Sequence, residues 1–206
     1  MKNAIMRMSK VCFWVPTLAV VALGQNWVQV EPAPAATAPA YSVSVGYTTL
    51  VMAMPGAGHV NLGGLDASGR VEVNSRWGAM LDTNYLRASN VLATPHDGSV
   101  LSFYTGPVFY PVNHGKIQLS LHLLGGVSRV NGALPENDTA YRHGWLAHFS
   151  YAAGGEIEYP VSAPFGVRVG GDYLRTAFFD STGTVQPQNN LRLTAGFVFH
   201  LNARQR

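Results

Sequence analysis

Apolar and polar residues alternate with a period of two along most of the chain, and the clearest stretch is the last. Between 191 and 202, Leu191, Leu193, Ala195, Phe197, Phe199 and Leu201 take every second place, separated by Arg192, Thr194, Gly196, Val198, His200 and Asn202. Successive side chains of a strand point to opposite faces, so this pattern predicts a strand with one apolar and one mainly polar face; a helix would space its apolar residues by three and four. The same alternation predicts strands over 41–54, 62–74, 77–89, 99–111, 116–130, 146–160 and 165–178, eight in all with the last. In the first, Tyr41, Val43 and Val45 oppose Ser42, Ser44 and Gly46; in the seventh, Phe165, Val167, Val169 and Tyr173 oppose Gly166, Arg168, Gly170 and Asp172.

Strand length and the spacing of turns narrow the architecture. The predicted strands run 12 to 15 residues, whereas strands of soluble proteins centre on roughly five or six. The connections alternate: 75–77, 112–115 and 162–164 are short, and 54–59, 90–98, 131–144 and 179–188 are longer. An even number of long strands, with short turns at one end and long loops at the other, predicts an all-β, antiparallel, up-and-down transmembrane barrel. Tyr41, Trp77, Phe109, Tyr110, Tyr159 and Phe165 fall at strand ends on the short-turn side, where a girdle of interfacial aromatics is expected. Hydrocarbon leaves backbone N–H and C=O groups without partners, so the sheet must close; its apolar face turns to lipid and its polar face inward.

The inward parity collects Asp66, Arg70, Glu72, Asp82, Glu156, Glu158, Arg168, Asp172 and Arg192, together with His122, His148 and His200. An eight-stranded barrel is only wide enough for its own side chains, so these residues are expected to form a packed salt-bridge network. A three-residue turn at 75–77 would set Arg70 opposite Asp82. The 162–164 turn would set Arg168 opposite Glu158 or, one step away, Glu156. Glu156 and Glu158 lie on one face roughly 6.6–6.8 Å apart, a spacing also found in carboxylate pairs of inverting glycosidases. A filled lumen admits no sugar, so a network with Arg168 and Lys116 is the expectation, and no catalytic residue is assigned. The three histidines sit on different strands at different depths, so no metal site or cofactor is expected.

Composition changes the picture mainly at the N-terminus. Charged residues make up 12% of the 206-residue chain and the formal net charge is +3. Lys2, Arg7 and Lys10 carry that excess, and from Tyr41 onward eleven basic residues meet ten acidic ones. No nucleic-acid footprint and no polybasic run for anionic lipid is present. A basic start, the apolar segment 11–23 broken by Pro16, and small residues after it predict a signal peptide over 1–24. A Pro/Ala-rich linker or signal end follows over 25–40, with the barrel domain at 41–202. Ala22-Leu23-Gly24 and Ala38-Pro39-Ala40 both fit the cleavage pattern. Cys12, the one cysteine, lies inside the signal segment, so no disulfide is expected. P-loop, dinucleotide-binding and zinc-protease patterns are absent. Asn137-Asp138-Thr139 is a chance-level sequon, and Pro55-Gly56-Ala57-Gly58 reads as a turn.

The segments LDASGRVEVNSRWGAMLD (65–82), YTGPVFYP (104–111) and QNNLRLTAGFVFHL (188–201) resemble the outer-membrane β-barrel domain family, the small stand-alone OmpA/OmpX-like barrels. The resemblance covers 41–202. It implies integral residence in a bacterial outer membrane, contact with outer-membrane lipid, and a terminal strand read by the barrel-assembly machinery through Phe197, Phe199 and Leu201. Residues 202–206 extend past that aromatic ending. The resemblance does not carry an activity. The expected function is non-enzymatic: a monomer with a structural or surface-interaction role toward an unknown surface ligand, with loop 131–144 the leading contact surface. A narrow ion channel is the alternative. A lipid-modifying enzyme using His143 or His148 with Ser150, and a soluble ligand-binding barrel, are further alternatives.

Overall fold

A computed structural model describes residues 40–54, 58–91, 95–114, 117–135, 141–179 and 185–201. The signal and linker assignments before residue 40, Cys12, the Asn137 sequon and Lys116 lie outside them. Eight antiparallel strands follow one another: β1 (Ala40–Met54), β2 (Gly58–Glu72), β3 (Trp77–Ala88), β4 (Gly98–His114), β5 (Ile117–Pro135), β6 (Tyr141–Ser162), β7 (Phe165–Phe179) and β8 (Val185–His200). Each pairs with the next, and β1 pairs with β8, so the sheet is a closed barrel. No helix among the described residues is long and apolar enough to cross a membrane; any crossing is made by strands.

The register fixes the shape. Followed from Tyr41 through Val71, Ala79, Pro107, Leu123, Ala153, Tyr173 and Leu191, it returns to β1 at Val51, ten residues further along (51 − 41). That stagger requires strands tilted roughly 35–45° to the barrel axis. A level line around the wall therefore drops about one and a quarter residues per strand (10/8) relative to the hydrogen-bonded partners. Along such a line Tyr41, Trp77, Phe109, Tyr159, Phe165 and Phe199 share one height at the turn end, and all face outward. Trp77 packs on Phe109 with ring centroids 5.0 Å apart, and Phe165 lies 5.5 Å from both Phe197 and Phe199. Above this girdle the outer wall is apolar, with Val45, Leu65, Leu81, Phe103, Leu123, Phe149, Val169 and Leu193 each about half or more exposed. Ten residues of strand at roughly 3.3 Å rise, tilted about 40°, span about 25 Å, the height of a lipid-facing band.

Three expectations are corrected. Tyr110 does not belong to the girdle: it is 2% exposed and points into the lumen. Alternation forbids Phe109 and Tyr110 from facing the same way, and Tyr110 shares the inward parity of Ser102 and Tyr104. Arg70 is not opposite Asp82 but opposite Met80, and Asp82 faces Ser68. Between the last β2–β3 ladder partners, Glu72 and Gly78, lie five residues, 73–77, rather than three. Val73 and Asn74 N–H both donate to the Trp77 carbonyl, and Asn74 Oδ1 accepts from Arg76 N–H and Trp77 N–H at 2.8 Å each. An asparagine that bonds the backbone two residues on favours a turn in this way. The count stays odd, so every side chain keeps its face. The third concerns loop 131–144: much of it is strand, because Asn131 pairs with Trp145 and the ladder continues to Pro135 opposite Tyr141.

The closing seam depends on two glycines. Gly46 and Gly196 are direct partners across β1 and β8. A Cβ on Gly46 would stand 2.5 Å from the Ala195 carbonyl oxygen and 2.9 Å from Gly196 Cα. Gly196→Val is therefore expected to hinder closure, with an overpacking cost of about 1–3 kcal/mol. The outward-facing Ala195→Val should be tolerated. Electrophoresis of unboiled and boiled samples checks this: the valine at 196 should reduce the fast-migrating unboiled species, and the valine at 195 should not.

Candidate functional site: a filled ionic lumen

All nine inward charged residues, Asp66, Arg70, Glu72, Asp82, Glu156, Glu158, Arg168, Asp172 and Arg192, are buried. Each occupies an even-numbered inward position, so the alternation places them and the narrow interior brings them together. Arg168, on β7, reaches across the barrel to Asp66 on β2 and also bonds Glu156 on β6 at 3.0 Å and Ser68 Oγ at 3.1 Å. Glu156 takes a second arginine, Arg70. Arg192, on β8, donates through Nε to Asp172 at 2.7 Å and through Nη1 to Asp82 on β3 at 2.6 Å. Asp172 also contacts His122 Nε2 at 2.5 Å.

The remaining carboxylates lean on other partners. Glu158 faces Arg168 in the register, yet its side chain meets His200 Nε2 at 2.7 Å. Glu72 accepts from Gln118 Nε2 at 3.1 Å. Glu156 and Glu158 thus have separate partners. Lys116 lies outside the described residues. His148 is half-buried and does not join the network through any described contact. Among the described residues no group of three or more His, Cys, Asp or Glu is arranged to hold a metal.

The loop half of the lumen has a different filling, which sequence alternation did not reveal. Leu50, Met52, Val60, Leu62, Leu86, Val100 and Phe178 point inward and are buried. Beside them is a hydroxyl cluster: Ser128 Oγ lies 3.0 Å from Ser102 Oγ, 2.6 Å from Tyr104 Oη and 2.7 Å from Ser150 Oγ. Leu50 and Leu62 break the polar inward pattern at strand ends, and that break was the available signal. A groove of about 570 Å³ lies on the outer wall, lined by Val45, Tyr47, Leu65, Ala67, Tyr85 and Phe197 among others.

Chemically, the lumen is a set of buried ions in which Arg168 and Arg192 each bridge carboxylates from different strands, while Arg70 ties β2 to Glu156 on β6. Truncating one arm leaves the partner charges buried and unpaired, which typically costs about 3–5 kcal/mol. Arg168→Ala strands Asp66 and removes one of two arginines from Glu156. It is therefore expected to lower the urea midpoint strongly, whereas the outward Leu81→Ala should move it little. Equilibrium unfolding followed by tryptophan fluorescence measures the difference.

Comparison with known proteins places this architecture. No family profile and no curated protein matches the chain. Among solved structures, the attachment invasion locus protein Ail of Yersinia pestis is similar with a TM-score of 0.56 at 18% identity, over 79% of this chain and 99% of that one. Neisserial surface protein A aligns with a TM-score of 0.59 at 14% identity, over 77% and 96%. OprG, an outer membrane protein of Pseudomonas aeruginosa, aligns with a TM-score of 0.53 at 12% identity, over 80% and 96%. What this chain shares with them is the fold, the small eight-stranded outer-membrane barrel.

Proposed function

We propose that the chain is a monomeric integral outer-membrane protein that acts through its long-loop end, not through its lumen. The observation that carries this reading is the double filling of the interior, ionic from the turn end to mid-height and packed with apolar side chains and bonded hydroxyls and amides toward the loops. A small solute entering from the loop end meets Leu50, Leu62, Leu86 and Val100 before it reaches any charge. The reading includes export through residues 1–24 and delivery by the barrel-assembly machinery, with Phe197, Phe199 and Leu201 as the signal strand. The β5–β6 hairpin supports a contact role, since its ladder continues past Arg129 to the Pro135–Tyr141 pair. Two fold neighbours are named for surface roles: Ail for attachment and invasion, described in complex with the heparin analogue sucrose octasulfate, and neisserial surface protein A for its surface position.

The channel alternative requires the Arg168 and Arg192 bridges to swing aside together. Burial of both guanidiniums against two or more partners opposes this. The lipid-enzyme alternative requires a nucleophile or base on the outer wall or rim. Ser150 instead bonds Ser128 and Tyr104 inside the lumen.

The test replaces residues 136–140 with a short Gly/Ser turn and measures adherence of expressing cells to heparin-coated and uncoated surfaces. Unchanged mobility shift on boiling with reduced adherence is the expected result. Adherence equal to that of wild-type cells on both surfaces, by a normally assembled variant, overturns the reading. In planar bilayers the purified protein should give no discrete conductance steps, and regular steps would restore the channel alternative.

A further inference from the structure

Although the sequence has no basic run, folding gathers separate arginines at one height. A level line drawn from Arg87 on β3 passes within one residue of Arg129 on β5 and Arg175 on β7, and also through Asn61 on β2 and Asn189 on β8. All five face outward. They stand at the loop-side edge of the apolar band, about ten residues of strand above the aromatic girdle. Among the described residues no carboxylate faces outward from any strand, and the turn-side girdle has no outward charge at its own level. The outer wall is thus asymmetric in charge: outward aromatics stand at both borders, Trp77 and Phe199 at one and Tyr85, Phe149 and Tyr173 near the other, but arginines at only one.

The three arginines are prepared differently. Arg129 lies over the Trp145 ring, 3.9 Å from its centroid, a cation–π contact that holds the guanidinium beside the ring. Arg87 bonds Asp97 at 2.6 Å, with both side chains largely exposed, and that hydrogen bond holds the Asp97 carboxyl below the usual carboxylate range. Arg175 is exposed and has no ion-pair partner among the described residues. Its cross-strand neighbour Asn189 accepts a hydrogen bond from Tyr173 Oη at 2.6 Å. A guanidinium at a water–hydrocarbon border matches a phosphate in charge and in its paired donors, and the phosphates found at that depth belong to lipid headgroups.

We propose that Arg87, Arg129 and Arg175 form a lipid-phosphate belt that binds anionic headgroups of the leaflet on the long-loop side. This rests on the membrane-barrel reading above. The belt holds the barrel at a fixed depth and orders phosphate-bearing lipid around its rim, with Tyr151 and Tyr173 packing on the adjoining glycerol and acyl segments. Each arginine near a charged interface contributes about fivefold in binding, so the three together contribute about a hundredfold.

The experiment uses the full chain folded in uncharged detergent, with lipid retention measured by native mass spectrometry against added phosphatidylglycerol or phosphatidylcholine. The wild-type protein should retain phosphatidylglycerol preferentially. The triple variant R87Q/R129Q/R175Q should lose the preference by about a hundredfold, and Arg175→Gln alone by about fivefold. Arg76→Gln, in a turn at the opposite end, should leave it unchanged. If the triple variant loses its mobility shift on boiling, Arg175→Gln carries the decision. Equal retention of the two lipids by the wild-type protein, or undiminished preference in a folded variant, overturns the belt. Displacement of the lipid by millimolar inorganic phosphate overturns the lipid assignment in favour of a free-phosphate site. A wild-type chain with no mobility shift on boiling overturns the barrel reading itself, an outcome distinct from a folded barrel without lipid preference.

Discussion

Every backbone N–H and C=O within a bilayer must find its partner inside the protein, and the rest of this structure follows from that constraint. An open sheet would leave two edges unpaired, so β1 must meet β8. Closure with eight strands and a ten-residue stagger then sets the tilt, the width of the lumen and the height of the apolar band. The seam is also the most exacting place in the chain, because β1 and β8 lie at opposite ends of the barrel sequence. Gly46 and Gly196 meet there without side chains, and a carbonyl occupies the space a Cβ would need.

Closure forces a second problem, since the inward residues have nowhere else to go. Three arginines share the lumen with six carboxylates. The structure answers by making two of the guanidiniums serve several strands: Arg168 joins β7 to β2 and β6, and Arg192 joins β8 to β7 and β3, while Arg70 joins β2 to β6. Several of these ties cross the barrel between strands that share no hydrogen bonds. Buried ion pairs add little net stability over apolar packing, but breaking one is costly. The network therefore penalises wrong registers more than it strengthens the correct one. The acidic surplus is met by His122, His200 and Gln118, whose rings and amide reach carboxylates the arginines leave over.

Alternation is a local property, and what depends on it alone was legible in the sequence. The eight strands, their two faces and the inward charged residues can be read from period two without knowing which strand touches which. Tyr110 was readable by the same rule, and its assignment to the girdle beside Phe109 ignored parity. The Arg70–Asp82 pairing failed for a different reason. It depended on turn length, and Asn74 enlarges the turn through its own side-chain bonds. The cross-barrel bridge from Arg168 to Asp66 and the level of Arg87, Arg129 and Arg175 depend on the shear, a property of the closed ring that no single segment carries. Strand ends were also hidden. Beyond the apolar band the outward residues need not be apolar, so the alternation that marks a strand in lipid fades in β5 and β6 although their ladder continues.

The two halves of the lumen make sense together. On the outside of a membrane barrel, burial against lipid gives apolar side chains no advantage over neighbouring lipid tails. Once the wall is in lipid, the hydrophobic effect organises side chains only where water would otherwise enter, at the ends of the lumen. Leu50, Leu62, Leu86, Val100 and Phe178 occupy the loop end, the end whose connections are longest. By excluding water they lower the local dielectric around the ions below, and a lower dielectric strengthens every correctly paired charge and raises the penalty for every mispaired one. Residues that contribute no charge thus set how strongly the charged residues hold. A barrel without these apolar residues would admit water to Arg168 and Arg192, and the same salt bridges would then restrain the register far less.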